Sequence, residues 1–241
     1  MAAGARNGAA TRRRGRAAAA ARRRGTPRAK ASKRLAAADR EQQILAEAVR
    51  FFAEVGFSGH TRELAQRLHI TQPLLYRYFP TKQDLIERVF KEVFFTRINP
   101  QWSKLIADRS RPLEERLCEF YQHYARATYT YEWIRIYMFS ALMGNDINRR
   151  YIKIVEEKIL KPICKEIRHH GGLGSDDAVT EAELEHVWVM HGGIFYYAVR
   201  KYVYHSRVAD DLSAIVRRAV RGALAGARAS LAPLPPTGEK Q

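Results

Sequence analysis

The chain has 241 residues, 46% hydrophobic and 28% charged, with a net charge of +17 and a pI near 10.2. That balance suits a folded protein with a sizeable core, and no run approaches the roughly 18 apolar residues of a membrane span, so a soluble, cytoplasmic protein is expected. Cys118 and Cys164 have neither a CxxC partner nor framework spacing, which excludes a disulfide scaffold and leaves packing thiols.

The charge is unevenly placed. Residues 1–34 hold ten Arg and two Lys with no acidic residue, so the remainder is only mildly basic. An Ala-, Gly- and Arg-rich stretch without large apolar side chains cannot offset its ordering entropy, and residues 1–35 are expected to be disordered. Such an arm suits a polyanion, with nucleic acid first and an anionic membrane surface, a transit peptide or a solubilising tail as the other readings.

From residue 36 onward helical periodicity recurs and no strand alternation is seen, which predicts an all-α protein. The first helix is expected over about 37–55, where Ile44, Ala48, Phe51 and Val55 make one stripe and Gly56 stops it. A short helix over 62–68, capped by Thr61, leads through "HIT" to a third over 72–79 and a fourth from Lys82 to "NP" at 99–100. Beyond "DRSRP" the helices lengthen: 112–131, 132–144, then 147–168 with a kink expected at Pro162. After "GGLGS", a T-x-x-E capping box at Thr180 and Glu183 opens a helix to about Tyr204, and a last helix covers 211–230 before a tail, 231–241, expected to be disordered. The domain reading is therefore an arm, a helix-turn-helix module over 36–97 with the motif at about 60–79, and a helical bundle over 98–230.

The stretch "TQPLLYRYFPTKQDL", Thr71 to Leu85, carries the chemistry. At about 100° per residue Leu75 and Phe79 share one side, Pro73, Leu74 and Arg77 face away, and Gln72 and Tyr76 form one flank with Tyr78 on the other. A helix buried in a core would not present Arg beside two Tyr, whereas one entering a major groove would. Gln pairs with an adenine edge, Arg with guanine, Leu touches a thymine methyl and Tyr reaches phosphate. Lys82 opens the next helix, where the positive end of the dipole favours an anion.

The segments "ILAEAVRFFAEVGF", "TRELAQRL" and "LLYRYFPTKQDL" resemble the tetracycline-repressor (TetR) family over about Asp39 to Val93, and Y-x-x-F-x-x-K-x-x-L after a helix-turn-helix is its diagnostic pattern. The resemblance implies that Thr61 and Arg62 approach the backbone or a groove edge and that Gln72 and Arg77 read bases; Thr71, Pro73 and Leu74 are counted with the DNA-binding residues. It also implies that Tyr76 and Tyr78 contact phosphates or pack beside them and that Lys82 binds phosphate. The loop before Leu64 is one residue shorter than the family's usual one, with "HT" in place of Thr-Thr or Thr-Ser.

The resemblance further implies that the C-terminal part dimerises and encloses a small-molecule effector. Aromatics are dense between 120 and 204, and Tyr121, Tyr124, Tyr137, Trp188, His191 and Phe195 are candidate walls for a hydrophobic or aromatic ligand, with plain core packing the other reading. The Gly pair in "MHGGIFYY" suggests close helix approach or room for a ligand. Ala219, Gly222, Ala223 and Gly226 form a small-residue face that suits a homodimer or packing within the chain.

No catalytic residue, metal or cofactor is assigned: "GGLG" is no phosphate loop and His169-His170 lack ligand spacing. The expectation is a sequence-specific regulator, a repressor on double-stranded, pseudo-palindromic operator DNA released by an effector. The alternative is a sequence-indifferent, nucleoid-type binder acting through the arm.

Overall fold

The computed structural model describes residues 27–143, 146–172 and 177–230, with side chains from residue 37 to 227. Residues 1–26 of the basic arm, residues 144–145, residues 173–176 at the end of "GGLGS" and the tail therefore lie outside the described residues. Every regular element among the described residues is helical.

The chain divides into two compact units between Ala46 and Glu47, inside the first helix, α1 (Pro27–Val55). The first unit is described by the opening of that helix, in which Ile44 and Leu45 are buried. The expected start near residue 37 and the reading of residues 27–35 as disordered need correction, because the helix begins ten residues earlier. Its added residues, "PRAKASKRLA", are mostly Ala, Lys and Arg, good helix formers, behind a Pro at the first helical position.

The second unit begins with the end of α1. Gly56 takes a left-handed backbone, φ 74°, and Gly59 comes so close to α1 that a Cβ there would stand 2.6 Å from Val55 and 2.7 Å from the Phe51 ring. These two glycines turn the chain into α2 (Thr61–Arg67). The turn to α3 (Gln72–Tyr78) uses a left-handed His69 at φ 52°, and α4 (Lys82–Phe90) widens into a π-helical turn over Lys91–Phe95.

A short helix, α5 (Gln101–Ala107), follows where the sequence pattern predicts none; it buries only Trp102 and Ile106. Then come α6 (Leu113–Thr128), α7 (Tyr131–Leu142), α8 (Asp146–Val155), α9 (Lys161–His170), α10 (Glu181–Tyr202) and α11 (Leu212–Ser230). Helix α11 packs on α6 and α10, while α7 packs on α10 and on the wide turn after α4.

Pro162 acts upstream of itself. Helices α8 and α9 are joined by a second π-helical turn, Glu156–Leu160. A proline at 162 has no N–H for the carbonyl of residue 158 and its ring would collide with it, so the chain widens one turn earlier. The Ser103 hydroxyl from α5 donates to the Lys158 carbonyl at 3.4 Å.

Two buried ion networks tie the bundle. Arg116, 4% exposed, pairs with Glu166 at 3.0 Å and donates to the carbonyls of Ile106 and Arg111, while Arg109 grips the same carboxylate. Burial pushes the Glu166 carboxyl up, but the hydrogen bonds and charges of the two arginines outweigh it and hold it below the usual range. The Thr180–Glu183 capping box forms, and its carboxylate also takes Arg168 from α9. Hydrogen bonding to Arg168 is the main reason that Glu183 falls to about 2.

Candidate nucleic-acid interface and ligand cavity

Helix α3 stands on Leu75 and Phe79, both buried, and presents Pro73 and Arg77 to solvent, with Gln72, Leu74, Tyr76 and Tyr78 half-buried around them. Thr71 caps it, its hydroxyl accepting from the Leu74 N–H at 3.4 Å, and the helix ends one residue before Phe79. Arg62 is exposed on α2.

Thr61 is placed differently from expectation. His60, extended at φ −83° and ψ 132°, holds the cap position of α2 without a side-chain bond, and Thr61 is the first helical residue. Its side chain is 6% exposed and turned toward α3. The hydroxyl accepts from Gln72 Nε2 at 3.1 Å and shares a hydrogen bond of 2.9 Å with the Tyr76 hydroxyl. One small polar group thus fixes two side chains of the exposed helix, which explains why it is not spent on capping.

Lys82 is the first residue of α4, and a capping box forms at this helix end. Thr81 accepts from the Asp84 N–H at 3.0 Å and the Asp84 carboxylate accepts from the Thr81 N–H at 2.9 Å.

Five of the six candidate wall residues, Tyr124, Tyr137, Trp188, His191 and Phe195, line one cavity of about 80 Å3; Tyr121 is fully buried behind it, its ring 5.8 Å from His191. Trp133, Tyr151, Ile152, Val155 and Gly192 complete the wall. Trp133 and Tyr137 stack at 5.0 Å and 12°, and the Tyr124 and Tyr151 hydroxyls share a hydrogen bond of 3.0 Å. Burial pushes His191 down to about 4, so its ring is neutral at pH 7, and burial likewise raises Tyr124, Tyr137 and Tyr151.

Within the second unit the cavity wall touches the turn after α4, and its helix α7 touches the end of α1. Phe94, in the wide turn after α4, meets Trp133 at 5.4 Å, Tyr151 at 5.5 Å and Tyr137 at 6.0 Å. On α7, between Trp133 and Tyr137, Arg135 donates to the carbonyls of Ala53 at 2.5 Å and Glu54 at 3.2 Å, in the last turn of α1. Those carbonyls have no partner inside their own helix end, so an arginine from the bundle caps them.

Residues 44–89 match the family model of bacterial regulatory proteins, tetR family. This helix-turn-helix segment belongs to the tetR family. The fold extends the likeness past it. A tetR-family transcriptional regulator from Streptomyces coelicolor superposes with a TM-score of 0.54 at 19% identity over 80% of this chain and 82% of its own. Another, from Pseudomonas syringae pv. tomato, gives 0.53 at 15% identity over 77% of this chain and 95% of its own. No curated protein sequence matches the chain.

The tetR-type pattern in the sequence points to α3 and Lys82 but not to the Thr61 network, the Arg135 cap or the lining residues of α8, since each depends on contacts far apart in the chain. The small-residue face of α11 divides. The Ala223 carbonyl is bonded to His186 Nε2 of α10 at 2.9 Å, Ala219 and Gly226 are half-buried, and Gly222 is exposed with no atom within 4 Å of where its Cβ would lie. Gly192 and Gly193 also have open space at the Cβ position, so they do not serve close helix approach within the chain. Among the described residues there is no cluster of three metal-ligating side chains and no helix long and apolar enough to cross a membrane.

Proposed function

We propose that this protein is a homodimeric, sequence-specific DNA-binding repressor whose operator affinity falls when a small hydrophobic or aromatic effector enters the cavity. In this reading residues 36–97 read DNA and residues 98–230 hold the effector and the dimer contact. The observation that carries it is the exposed face of α3, where Gln72 and Arg77 stand over a buried Leu75 with Gln72 and Tyr76 tied to Thr61. Pre-set side chains of this kind lose little rotamer entropy on meeting base edges.

The dimer would use α10 and α11. Val189 is 76% exposed and Tyr196 51%, Gly193 lies between them on the same helix face, and Gly222 faces outward on α11. Two reading helices would then enter major grooves about one helical turn apart on a pseudo-palindrome. Effector binding would act through Phe94 and Arg135, with a coupling of roughly 1–3 kcal/mol.

The test is selection of DNA fragments by the pure full-length protein, followed by titration at physiological salt. A pseudo-palindromic winner bound at least a hundredfold more tightly than random duplex is expected. Equal affinity for both would overturn the reading and favour a nucleoid-type binder, in which removal of residues 1–35 abolishes binding. In the proposed reading that truncation lowers affinity and flattens the salt slope while specificity stays.

A further inference from the structure

Resting on the effector reading, we propose that the cavity takes an uncharged, planar aromatic compound bearing one hydrogen-bonding oxygen, a phenol or an aryl ketone, which enters oxygen first. Trp133 Nε1 and His191 Nδ1 are buried without a hydrogen-bond partner, and both residues line the cavity at 1% and 6% exposure. An unmatched buried donor loses its hydration without recompense, and a ligand oxygen that reaches it recovers that loss. A phenolic oxygen suits either group, since it can accept from the indole N–H or donate to the imidazole nitrogen.

The wall also decides against charge. Among the described residues no Asp, Glu, Lys or Arg lines the cavity, and His191 is held neutral by burial. A carboxylate or phosphate would be desolvated there without a cation. A quaternary ammonium would meet attractive ring faces, but it accepts no hydrogen bond and would leave the indole N–H unmatched.

Depth sets the orientation. Tyr124, Trp133, Tyr151 and His191 are all under a tenth exposed and form the floor, whereas Ile152 at 38%, Trp188 and Gly192 are more open and form the mouth. A volume of about 80 Å3 is roughly half that of an apolar cavity known to hold benzene, so the mouth side chains must part to admit a ring. Gly192 leaves open space at that rim, with no atom within 4 Å of its Cβ position.

The experiment is calorimetric titration of the full chain at pH 7.5 with four probes that share a ring system: 2-naphthol, naphthalene, 2-naphthoate and 2-naphthyltrimethylammonium. Naphthol is expected to bind most tightly, naphthalene about tenfold more weakly for want of the hydrogen bond, and the two ions more weakly still. Trp133→Phe should narrow the gap between naphthol and naphthalene, weakening naphthol more than naphthalene. Gly192→Leu, which adds bulk into open space, should abolish binding of both with the melting temperature kept. An ion that matches or exceeds naphthol overturns the ligand class, as does an equal loss for naphthol and naphthalene in Trp133→Phe. Undiminished binding in Gly192→Leu overturns the placement. If none of the four probes binds, the effector reading falls with it, while the DNA selection above stands on its own.

Discussion

Helix α3 and the cavity wall both depend on tyrosines, but in opposite ways. On α3 the rings of Tyr76 and Tyr78 are half-exposed, and the Tyr76 hydroxyl is held by a neighbouring threonine. In the cavity Tyr124 and Tyr151 are buried, their hydroxyls satisfy each other, and the Trp133 and His191 nitrogens beside them are left without partners. The exposed region settles its polar groups before any partner arrives, which suits a surface that must present one geometry to DNA. The buried region keeps unmet hydrogen-bonding capacity, which suits a site that gains on filling. Between them lies a short path of rings and one arginine, so the difference can be probed from either end.

The largest effect is expected where the bundle holds charge in its interior. Glu166→Ala leaves Arg116 buried with its carboxylate partner gone, and should lower unfolding free energy by about 3–5 kcal/mol in a urea titration. Substitutions on the exposed face of α3 should leave that titration unchanged; a large loss of stability there would erase the contrast.

Acid should strike the bundle next. Glu183 has its folded pKa depressed from 4.5 to about 2 by Arg168, so its contribution is fully present above about pH 4.5 and is lost as pH falls through about 2. Thermal melts between pH 6 and pH 2 should show the decline, and Glu183→Gln should flatten it.

Arg77→Ala is expected to leave stability alone and to weaken the selected site by about 1–3 kcal/mol while non-specific binding changes far less. An equal loss on both DNAs would assign Arg77 to phosphate instead of a base edge. Arg135→Met removes the cap on Ala53 and Glu54 together with the guanidinium that lies over the Tyr131 and Phe139 rings. Both binding affinities should survive, and the fall in DNA affinity on adding 2-naphthol should shrink toward none; an unchanged fall would route the coupling through Phe94 alone.

The smallest effect is the most local. Thr61→Val removes the hydroxyl shared by Gln72 and Tyr76 and should weaken specific DNA binding by about 1 kcal/mol, with Thr61→Ser restoring it. A loss confined to melting temperature would make Thr61 a packing residue only.

The helices themselves, the helix-turn-helix and the face of α3 could be read from the chain because each rests on neighbours within four or five residues. Leu75 beneath Arg77 and the Thr180–Glu183 box are matters of local periodicity and spacing. The same locality explains the misses. Helix α5 has too few apolar positions to show a period, and the cap of α2 shifted to His60 because Thr61 answers residues 11 and 15 positions away. The wide turn after α4 follows from no propensity scale, whereas the one after α8 answers Pro162. Which aromatics line a cavity, which nitrogens stay unmatched in it, and which arginine caps α1 were decided only when α6, α7, α8 and α10 came together. Hydrophobic pattern specifies that a ring is buried, but burial is not directional, and only the tertiary packing determines what each ring and its polar atom face.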